Sequence, residues 1–376
     1  MKNFILKNSA SRFTLLGLII FLALSGCSKD TIKLDEQNVV PELKAVSFTQ
    51  ASGGSAHSMV LKSDGTLWAA GSNYVGQLGT GDLNNRLTFV KVLSGVKSVK
   101  CGYYHTLALK TDGTLWATGD NYYGELGLSD NSGPVTVFTK VLSGIKAIAA
   151  GEYHSLALGT DGNLWVTGQN VNGQLGTGNT QVQHGFISVL SGVSSIAAGW
   201  HHSLALIGNT LYASGSWGGG SQYSFISVLT NVKAMSGSHL SSMAVKTDGS
   251  LWAVGNNDYG KLGTGDNLDR TFFTKVINSS VTDVSCGEEH TIVKLSNGTL
   301  KGTGMNTYGQ LGLGNNNDKN VFTTAVSAGV NKIVAGYWFS FYIKTDGTLW
   351  VTGENVAGEL GKGDTNNRNR FTQSGL

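Results

Sequence analysis

The chain has 376 residues, 53 of them glycine and only two proline, and charged residues make up 14% of it against about 25% in an average globular protein. Its net charge of +3 is spread along the length without a basic block, which argues against nucleic acid as a partner, and so much glycine with so little charge implies many tight turns. A chain of this length is too long for one small core and suits a ring of repeated units.

The N-terminus carries Lys2, Lys7 and Arg12, then an apolar run over 13–24 that is short for a membrane span. It closes with Leu24-Ser25-Gly26-Cys27, which resembles the bacterial lipobox. The resemblance implies a signal peptide over 1–26, a lipid on Cys27 and a membrane contact through that lipid. Ser28-Lys29 lacks the Asp that retains lipoproteins in the inner membrane, so the same resemblance implies an outer-membrane lipoprotein, periplasmic or surface-exposed. Residues 27–43 are polar, of mixed charge and without a period, and read as a lipidated flexible tether.

An internal repeat follows over 44–376. An aromatic after a leucine recurs as Trp68, Trp116, Trp165, Tyr212, Trp252 and Trp350, with Lys301 in the sixth of seven slots, at intervals of 48, 49, 47, 40, 49 and 49 residues. The second copy shows four short strands, at 96–101, 105–110, 114–118 and 138–142. Asp64-Gly65, Asp112-Gly113, Asp161-Gly162, Asp248-Gly249, Asn297-Gly298 and Asp346-Gly347 mark a tight turn between the second and third. One such unit cannot bury both faces alone, so neighbours must stack. The expected fold is all-β, a seven-bladed β-propeller of four-stranded antiparallel blades, running from a first strand near 46–50 to a fourth at 371–373.

Copies such as Ala150-Gly151-Glu152-Tyr153-His154-Ser155-Leu156-Ala157-Leu158, then Asp161-Gly162-Asn163-Leu164-Trp165 and Gly173-Gln174-Leu175-Gly176, resemble the regulator of chromosome condensation repeat over 45–376. The resemblance implies a seven-bladed propeller acting through its faces. The better-known members act as a nucleotide exchange factor on a nuclear GTPase or, among secreted bacterial relatives, as β-lactamase inhibitors. The fourth copy departs from the motif around Trp217-Gly218-Gly219-Gly220, and the fifth has Ser241 where others carry histidine.

Repetition separates scaffold from site. His57, His105, His154, His202 and His290 recur in most copies, so they answer a need that every blade shares, such as pinning a turn through backbone hydrogen bonds, and are not expected to be catalytic. Cys101 and Cys286 occupy the slot of Ala150, Ala198 and Ala335 and read as small core residues. The segments around Asp82, Asn179, Asp266, Asn315 and Asp364 offer oxygen ligands, but none gathers four or more carboxylates, so they read as turn caps. No metal and no cofactor is expected.

The copies disagree in two loop slots. The first holds Ser55-Ala56, Tyr103-Tyr104, Glu152-Tyr153, Trp200-His201, Ser238-His239-Leu240, Glu288-Glu289 and Tyr337-Trp338, and the second holds Tyr74, Tyr122, Tyr123, Tyr259 and Tyr308. Alternate connections of an antiparallel meander lie at the same end of the sheet, so both slots face one end of the ring and the Asp-Gly turns face the other. The candidate binding residues are therefore Tyr103, Tyr104, Tyr153, Trp200, His201, Tyr337, Trp338, Tyr74, Tyr122, Tyr123, Tyr259 and Tyr308, with Glu152, Glu288 and Glu289 adding acid. Large aromatics with a polar tip dominate binding hot spots. The expected role is protein or glycan binding by a monomeric propeller that is not an enzyme. Inhibition of a secreted enzyme such as a β-lactamase is one alternative. A glycan-active site using Glu288 with Glu152 over the central channel is the other.

Overall fold

The structure, a computed structural model, describes residues 46–129 and 133–375; the leader, Cys27 and the tether lie outside the described residues. Seven four-stranded sheets follow one another in the chain, each paired antiparallel in sequence order. We number them blades 1 to 7, over 48–93, 96–142, 145–190, 195–229, 232–277, 281–326 and 330–373. The predicted boundaries move slightly. The chain enters blade 1 at Phe48–Gly53, the third strand of blade 2 is Leu115–Gly119, and its fourth strand starts at Val135 instead of residue 138.

Burial within a blade follows from stacking. The second strand, such as His105–Lys110, is buried at all but its last position because a neighbouring blade covers each face. Outer strands such as Val135–Leu142 bury only one residue fully. The ring closes without strand exchange. Phe48 N–H donates to the carbonyl of Gly347 at 3.0 Å, and Gly363 N–H to that of Leu87 at 2.8 Å. Ala51, Val60 and Phe89 of blade 1 share one core with Phe339, Phe341, Val351 and Leu360 of blade 7.

The recurring histidines link blades. Nε2 of His57, His105, His154, His202 and His290 lies 2.8–3.1 Å from the hydroxyl of Thr106, Ser155, Ser203, Ser242 and Ser340 in the following blade. The first four of those hydroxyls donate onward to the carbonyls of Gln77, Glu125, Gln174 and Trp217. With the hydroxyl hydrogen so engaged, Nε2 must carry the ring proton and donate. The role is structural, as the repetition implies, but the partner is a side chain of the next blade and not the backbone of a turn. Burial holds all five imidazoles down at about 3, so they are neutral.

The glycine three residues before each histidine makes room for it. A Cβ on Gly54, Gly102, Gly151, Gly199 or Gly287 would lie 2.1–2.3 Å from the ring Cε1 and 2.5–2.7 Å from a carbonyl of the next blade's loop. Blade 5 changes both partners. Ser238 occupies the glycine slot, since its N–H bonds Ser241 as Gly54 N–H bonds His57, and Gly237 pairs with Ser242 as Cys101 pairs with Thr106. The loop insert expected over Ser238-His239-Leu240 is therefore the usual pair, His239-Leu240. Ser238 and Ser241 hydroxyls meet at 2.6 Å in the space an imidazole fills elsewhere.

Blade 4 lacks the Gly-Gln-Leu-Gly loop, and Trp217 takes over two of its duties. Its carbonyl accepts the Ser242 hydroxyl, and its ring is buried against Phe273, where Leu78, Leu126 and Leu175 sit in other blades. At the opposite end, Trp68 Nε1–H donates to Thr66, whose hydroxyl donates to Asp64, while Lys62 covers the Trp68 ring at 4.4 Å. Blades 2, 5 and 7 repeat this relay, which accounts for the uniform Asp-Gly turns. Asp82, Asp266 and Asp364 cap their loops as expected and also pair with Arg86, Arg270 and Arg368. Cys101 and Cys286 are free and half-buried on first strands.

Candidate functional site

The first strands of all seven blades line a central cavity of about 490 Å³. At one mouth the first variable slots are laced together by backbone. Ser55 N–H donates to Tyr103, Tyr103 to Glu152, Glu152 to Trp200, Trp200 to Ser238, Glu288 to Tyr337, and Tyr337 to Gly54. Six of the seven junctions are tied. Among the described residues the junction of blades 5 and 6 has no such bond, and it is also where Ser241 replaces the linking histidine. Ser238 supplies the physical reason, because its Cβ occupies the space through which glycine elsewhere lets the next loop approach.

Over this mouth the aromatics of non-adjacent blades meet. Trp200 of blade 4 stacks on Tyr337 of blade 7, centroids 5.0 Å apart at 9°, and Tyr103 of blade 2 meets both edge-on at 5.8 and 5.3 Å. From this hub one branch runs through Tyr153 to Tyr123 and Tyr122, and another through Trp338 to Tyr308. Tyr104 packs on Tyr103 at 4.3 Å, so Tyr104 and Tyr123 belong to one network on one face. Both variable slots are thus brought to the same end. Tyr74 and Tyr259 stand apart from the network. With Tyr122 they are the exposed members, at 71%, 45% and 70%, while the hub rings are half-buried.

The acids are set among the rings. Tyr337 hydroxyl donates to Glu288 Oε1 at 2.9 Å, while Glu288 Oε2 is buried and makes no hydrogen bond. Burial raises Glu288 above the ordinary carboxyl range against the pull of that hydroxyl. Glu152 lies 3.4 Å from His201 Nδ1, and burial, with Glu288 near enough to repel it, pushes it up to about 7. Burial lowers His201, with His239 adding to the effect. Glu289 is committed elsewhere, to the buried Lys261 ammonium of blade 5 at 2.6 Å.

Three participants were missed in the sequence. His239 packs on Trp200 at 4.5 Å but belongs to the loop whose register was misread. Lys261 was legible as a departure, since it stands where the Gly-x-Leu-Gly loop carries Gln77, Gln174 or Gln310. Glu354 adds a further buried carboxyl, raised to about 7 by burial and by Glu359 and Glu288.

Models of the regulator of chromosome condensation (RCC1) repeat match residues 48–77, 96–125, 145–174, 281–310 and 330–359, and also 64–109, 112–158, 161–206 and 248–293. Together these cover more than half of the chain. It belongs to the RCC1 repeat family. No match falls between 206 and 248, where blade 4 has lost its Gly-Gln-Leu-Gly loop. Among solved structures, human WBSCR16 is similar with a TM-score of 0.73 at 21% identity, over 83% of this chain and 93% of that one. Yeast RCC1 (Prp20), solved bound to Kap60, gives 0.74 at 16% identity over 88% and 84%. Prp20p from Saccharomyces cerevisiae, described with its binding properties to Gsp1p and histones, gives 0.68 at 21% identity over 78% and 82%. Identities this low bear on the fold alone.

Proposed function

We propose that this RCC1-repeat protein is a cell-envelope lipoprotein that binds another protein through the aromatic mouth of its propeller. The observation that carries this reading is the convergence of Tyr103, Trp200 and Tyr337 from three non-adjacent blades over the channel. Rings held by one another present rigid edges at little entropic cost to a partner, and the outlying Tyr74, Tyr122 and Tyr259 extend the contact outward. The relatives that bind proteins support a protein partner over a glycan, which needs an open ring face to lie on.

Surface crosslinking in the native cell followed by mass spectrometry tests the reading. Tyr74→Ala with Tyr122→Ala removes exposed rings at little packing cost and is expected to weaken capture, and Trp200→Ala to abolish it. Capture unchanged by either variant would make the face inert. Envelope anchoring is tested by labelled palmitate incorporation, which Cys27→Ala should eliminate. A glycan-active reading draws on one observation, that Glu152 and Glu288 share the mouth with raised pKa values. A hydrolysis assay on a glycan panel checks it, as titration against purified β-lactamases checks enzyme inhibition.

A further inference from the structure

Resting on that reading, we propose that the group entering the mouth is cationic, a lysine or arginine side chain of the protein partner, seated between Glu152 and Glu288 beside the aromatic rings of the mouth. Acids outnumber ammonium groups around the mouth. Four acids approach the mouth, Glu152, Glu288, Glu289 and Glu354; Lys261 is held by Glu289 at 2.6 Å, and Lys100 and Lys332 line the same cavity with Asp283 on the first strands. Neither histidine beside the acids hydrogen-bonds to them: His201 Nδ1 finds no partner although Glu152 lies 3.4 Å away, and His239 Nδ1 is 3.8 Å from Glu289.

The second observation is the geometry of Glu288. Its Oε1 accepts the Tyr337 hydroxyl, while its Oε2 is shut off from water without a well-formed hydrogen bond, the Trp338 indole exerting only a weak pull on the carboxyl. A buried carboxylate oxygen so poorly bonded is costly, and a charge-assisted hydrogen bond from an entering ammonium or guanidinium would relieve it. The rings of Tyr337 and Trp338, 4.5 Å apart, adjoin that carboxyl, and a cation over an open ring face is attracted to it. The third observation is access. Glu288 sits at the one untied junction of the loop ring, opened by Ser238, so the loops there can part without breaking a backbone bond.

A divalent metal is the competing occupant, because ligand atoms of His239, Glu288 and Glu289 lie within 4.8 Å of one another. Lys261 argues against it. Its ammonium already neutralises one of the three ligands, and a metal would have to expel a buried cation to bind.

The test is fluorescence anisotropy of a labelled oligolysine peptide with the purified full chain. Binding is expected, with roughly tenfold weakening in E152Q/E288Q and a marked loss as salt rises from about 50 to about 300 mM. D112N, at the opposite end, should bind as the parent does, since Asn297 already serves that turn in blade 6. The Nε-acetylated peptide should not bind. Equal binding of the acetylated peptide, or undiminished binding by E152Q/E288Q, overturns the proposal. So does Zn²⁺ alone binding stoichiometrically and displacing the peptide from the parent but not from E288Q. In the crosslinking experiment, capture lost in Trp200→Ala but intact in E152Q/E288Q refutes the cationic partner and leaves the binding face standing. Capture intact in both refutes the binding face as well.

Discussion

Ser238 and Ser241 together replace the glycine and histidine that blades 1 to 4 and 6 carry, and restoring that pair should show that neither change is tolerated without the other. In S241H alone the new ring meets Ser238 where other blades have no Cβ, at an approach near 2.1 Å in the equivalent sites. Overpacking of this kind costs about 1–3 kcal/mol. S238G alone removes the 2.6 Å hydroxyl bond and adds glycine freedom, together about 1–2 kcal/mol. If the two effects were independent, the double variant would lose about 2–5 kcal/mol. It should instead lie within about 1 kcal/mol of the parent, because the imidazole then fits and its Nε2–H reaches the Thr291 hydroxyl as His57 reaches Thr106. The loops of blades 5 and 6 should also close, tying His239 N–H to the Glu288 carbonyl as Tyr103 N–H is tied to Glu152. Guanidinium denaturation of the four proteins gives the coupling, and amide exchange at His239 reports the closure. Additivity within about 0.5 kcal/mol, or unchanged exchange at His239 in the double variant, would refute the reasoning.

Stability against pH should show a plateau and then a cliff. The five linking histidines, depressed to about 3, contribute stability above the unfolded value of 6.5 that is lost as pH falls. Glu125, Glu152 and Glu354, raised to about 7, and Glu359, raised to about 6, act in the opposite sense down to 4.5. The two nearly cancel between pH 6.5 and 4.5, and below that the histidines remove about 7 kcal/mol per pH unit, joined below 3.8 by depressed aspartates such as Asp82 and Asp266; melting temperatures that fall steadily from pH 7 would contradict this. Glu125 and Glu359 stand where blades 1, 3 and 6 carry glutamine, so E125Q should stabilise the fold by about 3 kcal/mol and E359Q by about 2 kcal/mol at pH 8, and each by less at pH 5, read as denaturation midpoints. W217A should cost about 3–5 kcal/mol, since it empties the core under blade 4, with W217L recovering part of it.

The sequence by itself determined the number of blades, the strand order within each and the end at which the variable loops gather. Those are local or periodic properties. Asp112-Gly113 makes its turn whatever lies beyond it, and a meander has only one way to distribute its connections. It also identified the rings that meet over the channel, because they break a repeat that is otherwise uniform. Tertiary structure alone decided what those rings do to one another. Trp200 and Tyr337 lie 137 positions apart in the chain and stack because ring closure carries blade 7 round to face blade 4. The histidines were recognisable as scaffold, but their partners lie about 50 residues on, in a blade whose register no local signal specifies. The serine pair of blade 5 was visible as one missing histidine. Its consequence, an untied junction beside Glu288, depends on a Cβ where glycine elsewhere lets the next loop's carbonyl approach to 2.5–2.7 Å of that position, and such packing is settled only when the neighbouring blade is in place.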